Sequence, residues 1–160
     1  MKLVFTIIFT AFSVPCIAQS PGIAQSPGKV DVFSSARIHA QLADLAQQAK
    51  ASGSSGSTLG DYGTHAMKLS ERTASGGAEI HAHFDDVMLV VEGKAQLITG
   101  GEVTGAHSGA NGETTGSGIR NGSAQTIMAG DLIHIPAGTP HQLLIAPGTT
   151  YSALVIKVKE

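Results

Sequence analysis

The sequence predicts an all-β sandwich or barrel that carries a single helix near its N-terminus. Three observations point there. From about Tyr62 onward, apolar and polar residues alternate with period two in short runs. Those runs are broken every few residues by Gly, Pro or Asp, as in compact antiparallel folds. The one convincing helical period lies upstream, over residues 34–50. A chain of 160 residues suits one domain, since typical domains run ~100–150 residues.

The first eighteen residues differ from the rest. Lys2 gives a positive start, Leu3 to Val14 is almost wholly apolar, and Cys16-Ile17-Ala18 places small residues at a cleavage site. This pattern predicts a signal peptide over 1–18, removed after Ala18, and hence export to the periplasm or beyond. The apolar run falls short of the ~20 residues a spanning helix needs, so no stable membrane span is expected once the signal is gone. Cleavage also removes Cys16, the only cysteine, which excludes disulfides and thiolate ligands from the mature chain. The formal charge of −2 and three scattered arginines (Arg37, Arg72, Arg120) offer no basic patch, so no nucleic-acid partner is expected.

Residues 19–33 read as a Pro/Gly/Gln-rich linker, with the hexapeptide IAQSPG occurring twice over 17–28. Residues 34–50 form the helix: Ile38, Leu42, Leu45, Ala46 and Ala49 make one apolar stripe, and Ser34 or Ser35 caps its start. Residues 51–61, rich in Ser and Gly, read as a flexible loop. The β domain spans 62–160. Its expected strands are Tyr62–Arg72, Ala78–His83, Val87–Val91, Lys94–Thr99, Gln125–Met128, Asp131–Ile135, Gln142–Ile145 and Thr150–Val158, with a tight turn at Gly93. Residues 100–122 hold eight glycines in twenty-three positions and read as a surface excursion or a mobile loop over a pocket mouth.

Two stretches carry the chemistry. In the first, Gly76 to His83 (GGAEIHAH), side chains alternate along a strand, so Glu79, His81 and His83 share a face. Asp86, at the base of the next strand, brings a carboxylate beside them, and Glu79 is the second carboxylate candidate. In the second, Gly130 to His141 (GDLIHIPAGTPH), the corner Pro136-Ala137-Gly138-Thr139-Pro140 is stiff and fixes His141 at the start of a strand. His134, between two isoleucines, reads as structural. Two imidazoles with a carboxylate form a facial metal-binding set that leaves positions open for a substrate or dioxygen on a metal such as Fe(II).

These stretches resemble the two motifs of the cupin superfamily. The first motif runs Gly, five residues, HxH, three or four residues, Glu, six residues, Gly. The second runs Gly, five residues, PxG, two residues, His, three residues, Asn. Gly130, Pro136, Gly138 and His141 match the second, with Ile145 in place of the Asn. In the first, His81 and His83 match HxH and Gly93 matches the closing glycine. Counting back from Gly93 places Asp86 at the glutamate, one residue closer to the histidines than the motif has it. The resemblance covers roughly residues 62–158 and extends to the small single-domain secreted bacterial cupins. It implies a double-stranded β-helix, or jelly-roll barrel, holding one metal ion on His81, His83, Asp86 and His141.

Such a donor set suits Fe, Mn, Ni, Cu or Zn. The resemblance implies a metal-dependent oxygenase acting on a small organic substrate, with isomerase or lyase chemistry as variants. A non-catalytic periplasmic module that binds a sugar or acid is the alternative, and a barrel stapled by a structural metal is a third. No arginine falls on the two motif strands, so anchors for an anionic substrate look scarce. A homodimer through an exposed strand edge or the 34–50 helix is the expected assembly.

Overall fold

Ser34 starts the helix as expected. Its hydroxyl accepts a hydrogen bond from the Arg37 amide at 3.3 Å, satisfying one of the unpaired N–H groups of the first turn. In this computed structural model, which describes residues 28–160, helix α1 spans Ser35–Ser52 and ends on Gly53, whose φ of 83° and bond to the Ala49 carbonyl close the last turn. The proposed export signal, 1–18, lies outside the described residues, as does most of the 19–33 linker. Val32–Glu160 pack as one unit. Among the described residues, no helix is long and apolar enough to cross a membrane.

The twelve strands described form two antiparallel sheets and a small ribbon. The first sheet runs β1 (Ser54–Asp61), β2 (His65–Arg72), β12 (Tyr151–Lys159), β4 (Phe84–Thr99), β10 (Leu132–Ile135). The second runs β9 (Ser123–Met128), β4, β11 (His141–Leu144), β3 (Ala78–His81), β7 (Glu113–Gly116), β6 (His107–Ser108). The ribbon pairs β5 (Glu102–Thr104) with β8 (Gly118–Arg120). Strand β4 belongs to both sheets: residues 84–93 pair with β12, and residues 94–99 with β9.

Gly93 is therefore not a turn. Strand β4 continues through it, and the register against β12 slips by one residue between Ser152 and Ala153. Gly93 has φ 78°, and a Cβ there would collide with the Thr150 carbonyl. It marks the corner where one strand passes between sheets, a position that glycine and a bulge make accessible.

The 51–61 stretch is likewise not a loop. The helix continues to Ser52, and β1 pairs with β2 along its length. Strand pairing uses backbone N–H and C=O groups, which Ser and Gly supply as well as Val does. Leu59 packs beneath the helix, and the Ser55 hydroxyl donates to the Leu45 carbonyl at 2.7 Å.

Two apolar layers result. Met88, Val90, Ala95, Leu97, Ile127, Ile135, Ile145, Tyr151 and Ala153 are buried together and come from both sheets. Leu42 and Leu45 of α1 cover Leu69, with Val91 and Leu154 beside them, on the opposite face of the first sheet. The 100–122 insert also differs from expectation. It folds as β5 to β8, and β7 extends the second sheet by pairing with β3.

Candidate metal centre

Strand pairing assembles the site. Glu79 and His81 lie two apart on β3 and share a face. His141 opens β11 directly opposite Glu79. The turn that delivers it has Gly138 at φ 74°, a conformation that favours glycine. One donor atom from each of Glu79, His81 and His141 lies within 4.8 Å of the other two. Asp86, near the start of β4, places Oδ2 3.4 Å from His81 Nε2 and 3.9 Å from His141 Nε2. Glu79 Oε2 stands 3.6 Å from the same His81 nitrogen.

The far nitrogens fix how the rings point. His141 Nδ1 donates to the Thr139 carbonyl at 3.0 Å; a carbonyl can only accept, so the proton sits on Nδ1 and the Nε2 lone pair is free. His81 Nδ1 meets the Glu113 carboxylate at 2.5 Å. Its Nε2 is buried without a hydrogen-bond partner. Two imidazole lone pairs and two carboxylates thus converge on one region, an arrangement that a cation would satisfy and that is costly without one. The residues fit a metal ion.

Charge is distributed unevenly among them. Burial pushes the Asp86 carboxyl up, but His81 and Lys157 outweigh it and hold it below the usual carboxylate range. Lys157 Nζ donates to Asp86 Oδ1 at 2.7 Å, leaving Oδ2 toward the histidines. Asp86 in turn holds His81 above the ordinary imidazole range, with Glu113 adding to it. Burial pushes His141 down, so its ring stays neutral.

His83 stands apart from this group. Strand β3 ends at His81, the Ala82 amide bonds to the Gly112 carbonyl, and His83 sits exposed in the turn before β4. A Cβ on Gly112 would come within 3.0 Å of its Nε2, so the ring lies against the insert. The alternation that puts His83 beside His81 holds only while the strand continues, and the strand stops two residues short of His83. His134 is a surface residue whose Nε2 is 2.9 Å from Asp85 Oδ2, in keeping with a structural role.

Comparison with known proteins bears on the fold alone. No protein-family model matches the sequence, and no curated protein matches it. Among solved structures, a conserved protein with a double-stranded β-helix domain from Klebsiella pneumoniae superimposes with a TM-score of 0.55 at 14% identity, over 82% of this chain and 91% of that one. The cupin domain of Cnp3 from Schizosaccharomyces pombe gives 0.50 at 9% identity, over 67% and 61%. The chain has the cupin fold. The DMSP lyase DddQ of Ruegeria pomeroyi gives a TM-score of 0.49 at 15% identity, over 67% of this chain; the chain spans about half that protein's length, 47%.

Set on the cupin motif, the geometry shifts the reading by two residues. Glu79 takes the place of the first histidine and His81 that of the second. Four residues then separate His81 from Asp86, and six separate Asp86 from Gly93, so no residue is missing. Counting back from Gly93 through both spacings would have found this register. Glu113 carries no motif signal within the glycine-rich insert, and its link to His81 follows from the β3–β7 register, His81 opposite Glu113.

Beside the cluster lies a cavity of about 220 Å³, lined by Glu79, Asp86 and His141 and also by Lys68, Arg72 and Lys157. The expected scarcity of cationic anchors is thereby corrected. They come from β2 and β12, outside both motifs, and reach the site because those strands pair next to β4.

Proposed function

We propose that this chain is an exported, mononuclear metal-dependent cupin that oxidises a small organic substrate held in the cavity beside Glu79, His81, Asp86 and His141. The observation that carries this reading is the pair of fixed imidazoles: each Nδ1 is engaged away from the centre, by Glu113 or by Thr139, and each Nε2 faces the carboxylates. Bound there, a divalent transition metal supplies Lewis acidity or, as iron, a site for dioxygen.

The chain's own residues prepare that site. Glu113 sets the tilt of the His81 ring, and the stiff 136–140 corner sets that of His141. Lys157 holds one oxygen of Asp86 and leaves the other for the ion. Met88, Leu143 and Val155 line the cavity wall with apolar surface and limit water around the reacting atoms.

The test begins with elemental analysis of protein purified without chelators, followed by oxygen consumption with a panel of diols and β-diketones. Near-stoichiometric iron with turnover on one of these supports the reading. Full occupancy without turnover on any substrate turns it toward a non-catalytic binding module, and no bound metal overturns it. N-terminal sequencing of protein from the periplasm checks removal of residues 1–18.

A further inference from the structure

We infer that the molecule taken up beside the metal is a small organic acid, recognised through Lys68 and Arg72. This inference rests on the metal reading above. Register places the cations on one face of the first sheet. Lys157 stands opposite Asp86; two residues along β12, Val155 stands between Lys68 and Met88; four further along, Tyr151 stands opposite Arg72. Every second residue of a strand points to the same side, so Lys68, Arg72 and Lys157 share the inner face with Asp86. All three line the cavity that also holds Glu79 and His141.

Their charge is not balanced in the same way. Lys157 is paired with Asp86. Lys68 and Arg72 make no ion pair among the described residues, and Arg72 Nε is buried without a hydrogen-bond partner. Glu79 and Asp86 together balance a divalent ion. With that ion bound and Lys157 held on Asp86, Lys68 and Arg72 have no anion of the protein left to face within the cavity. Such a walled, positively charged space favours an anionic guest. The planar guanidinium fork of Arg72 matches a carboxylate with two parallel N–H bonds, and Lys68 adds a point charge. The apolar wall of Met88, Leu143 and Val155 accepts a short hydrocarbon chain, and a cavity of about 220 Å³ limits that chain to a few carbons. The guest is therefore a short mono- or dicarboxylic acid, with one carboxylate on the cations and a second oxygen near the metal.

Calorimetric titration of the metal-loaded protein with malonate, succinate and pyruvate tests this, with malonamide, succinamide and inorganic phosphate as controls. At least one acid should bind while both amides do not. Arg72→Gln and Lys68→Gln should each weaken acid binding by about tenfold or more, the loss expected for a hydrogen bond to a charged group. Elemental analysis of the same samples should show metal content unchanged. Equal binding of acids and amides, phosphate binding tighter than every acid, or acid binding that ignores both substitutions would overturn the inference. Arg72 packs closely on Gly76, so Lys68→Gln is the deciding variant where Arg72→Gln fails to fold. Absence of bound metal would instead count against the centre. In that case the titrations are run on the metal-free protein, where acid binding lost in Lys68→Gln still supports the cationic site and binding unchanged by it overturns that site.

Discussion

Asp86 and Glu71 are both buried carboxylates on the first sheet, 5% and 2% exposed, yet their surroundings drive them in opposite directions. Asp86 is on the inner face, between Lys157 and the histidines, and is held below the usual carboxylate range. Glu71 is on the face under α1, two residues from Leu69, and burial pushes it up. Its main partner is the Ser152 hydroxyl, which donates at 2.5 Å and offsets only part of that cost. Burial alone does not make a carboxylate a ligand. A cationic neighbour does, because it keeps the group charged where charge is otherwise expensive.

The sharpest way to break the comparison is to remove the imidazoles on the inner face. His81→Ala and His141→Ala should each reduce bound metal from near stoichiometric to trace in elemental analysis, because each removes a donor whose lone pair already points at the centre. His83→Ala should leave metal content unchanged. Loss of metal in His83→Ala, with retention in the other two, would sink the donor set.

A smaller effect tests the support behind His81. Glu113→Gln keeps the side chain's shape but removes the charge that steadies the ring. It should weaken metal binding by ~10–100-fold in chelator competition, the range for outer partners of a ligating histidine. An unchanged affinity would make the insert a bystander to the site.

The next effect is in pH. A metal ion competes with protons for the histidine nitrogens. His81 is raised above the ordinary imidazole value of 6.5, so affinity should begin to fall while pH is still above 6.5. His141 is lowered, so its contribution to that loss should appear only at more acidic pH. Affinity measured across pH should therefore decline in two stages. Decline confined to pH values below 6.5 would contradict the assigned role of Asp86 beside His81.

The sequence shows some of this plainly and hides the rest for physical reasons. Period-two patterning and the stiff 136–140 corner identify the β domain and His141, because both are local properties of the chain. The choice between His83 and Glu79 is invisible to strand alternation, and the spacing back from Gly93 is its one trace in the sequence. It turns on where β3 ends, and β3 ends where the chain turns toward β4 and meets Gly112. The cavity cations are equally hidden. Lys68 and Arg72 lie on an expected strand that belongs to neither motif, and only the pairing of β2 with β12 and of β12 with β4 brings them to the motif residues. The β1 strand escapes notice because its pairing is carried by backbone, not by β-branched side chains.

Glu71 provides the finest test of the comparison, through the stability of the metal-free protein. Its folded pKa lies above its ordinary value of 4.5. Between those two values the folded state keeps a proton that the unfolded state has already lost. The folded state binds more protons there, so stability falls as pH rises through the window and stays lower above it. Asp86 has the opposite sign: its contribution is present above the usual carboxylate range and is lost as pH falls through its lowered value. Glu71→Gln retains an acceptor for Ser152 without a charge to bury. It should raise the midpoint of thermal unfolding near neutral pH by a few degrees and remove the falling limb, while the acid limb set by Asp86 remains. A lower midpoint at neutral pH in this variant would mean that ionised Glu71 is stabilised under the helix, and the contrast between the two faces would collapse.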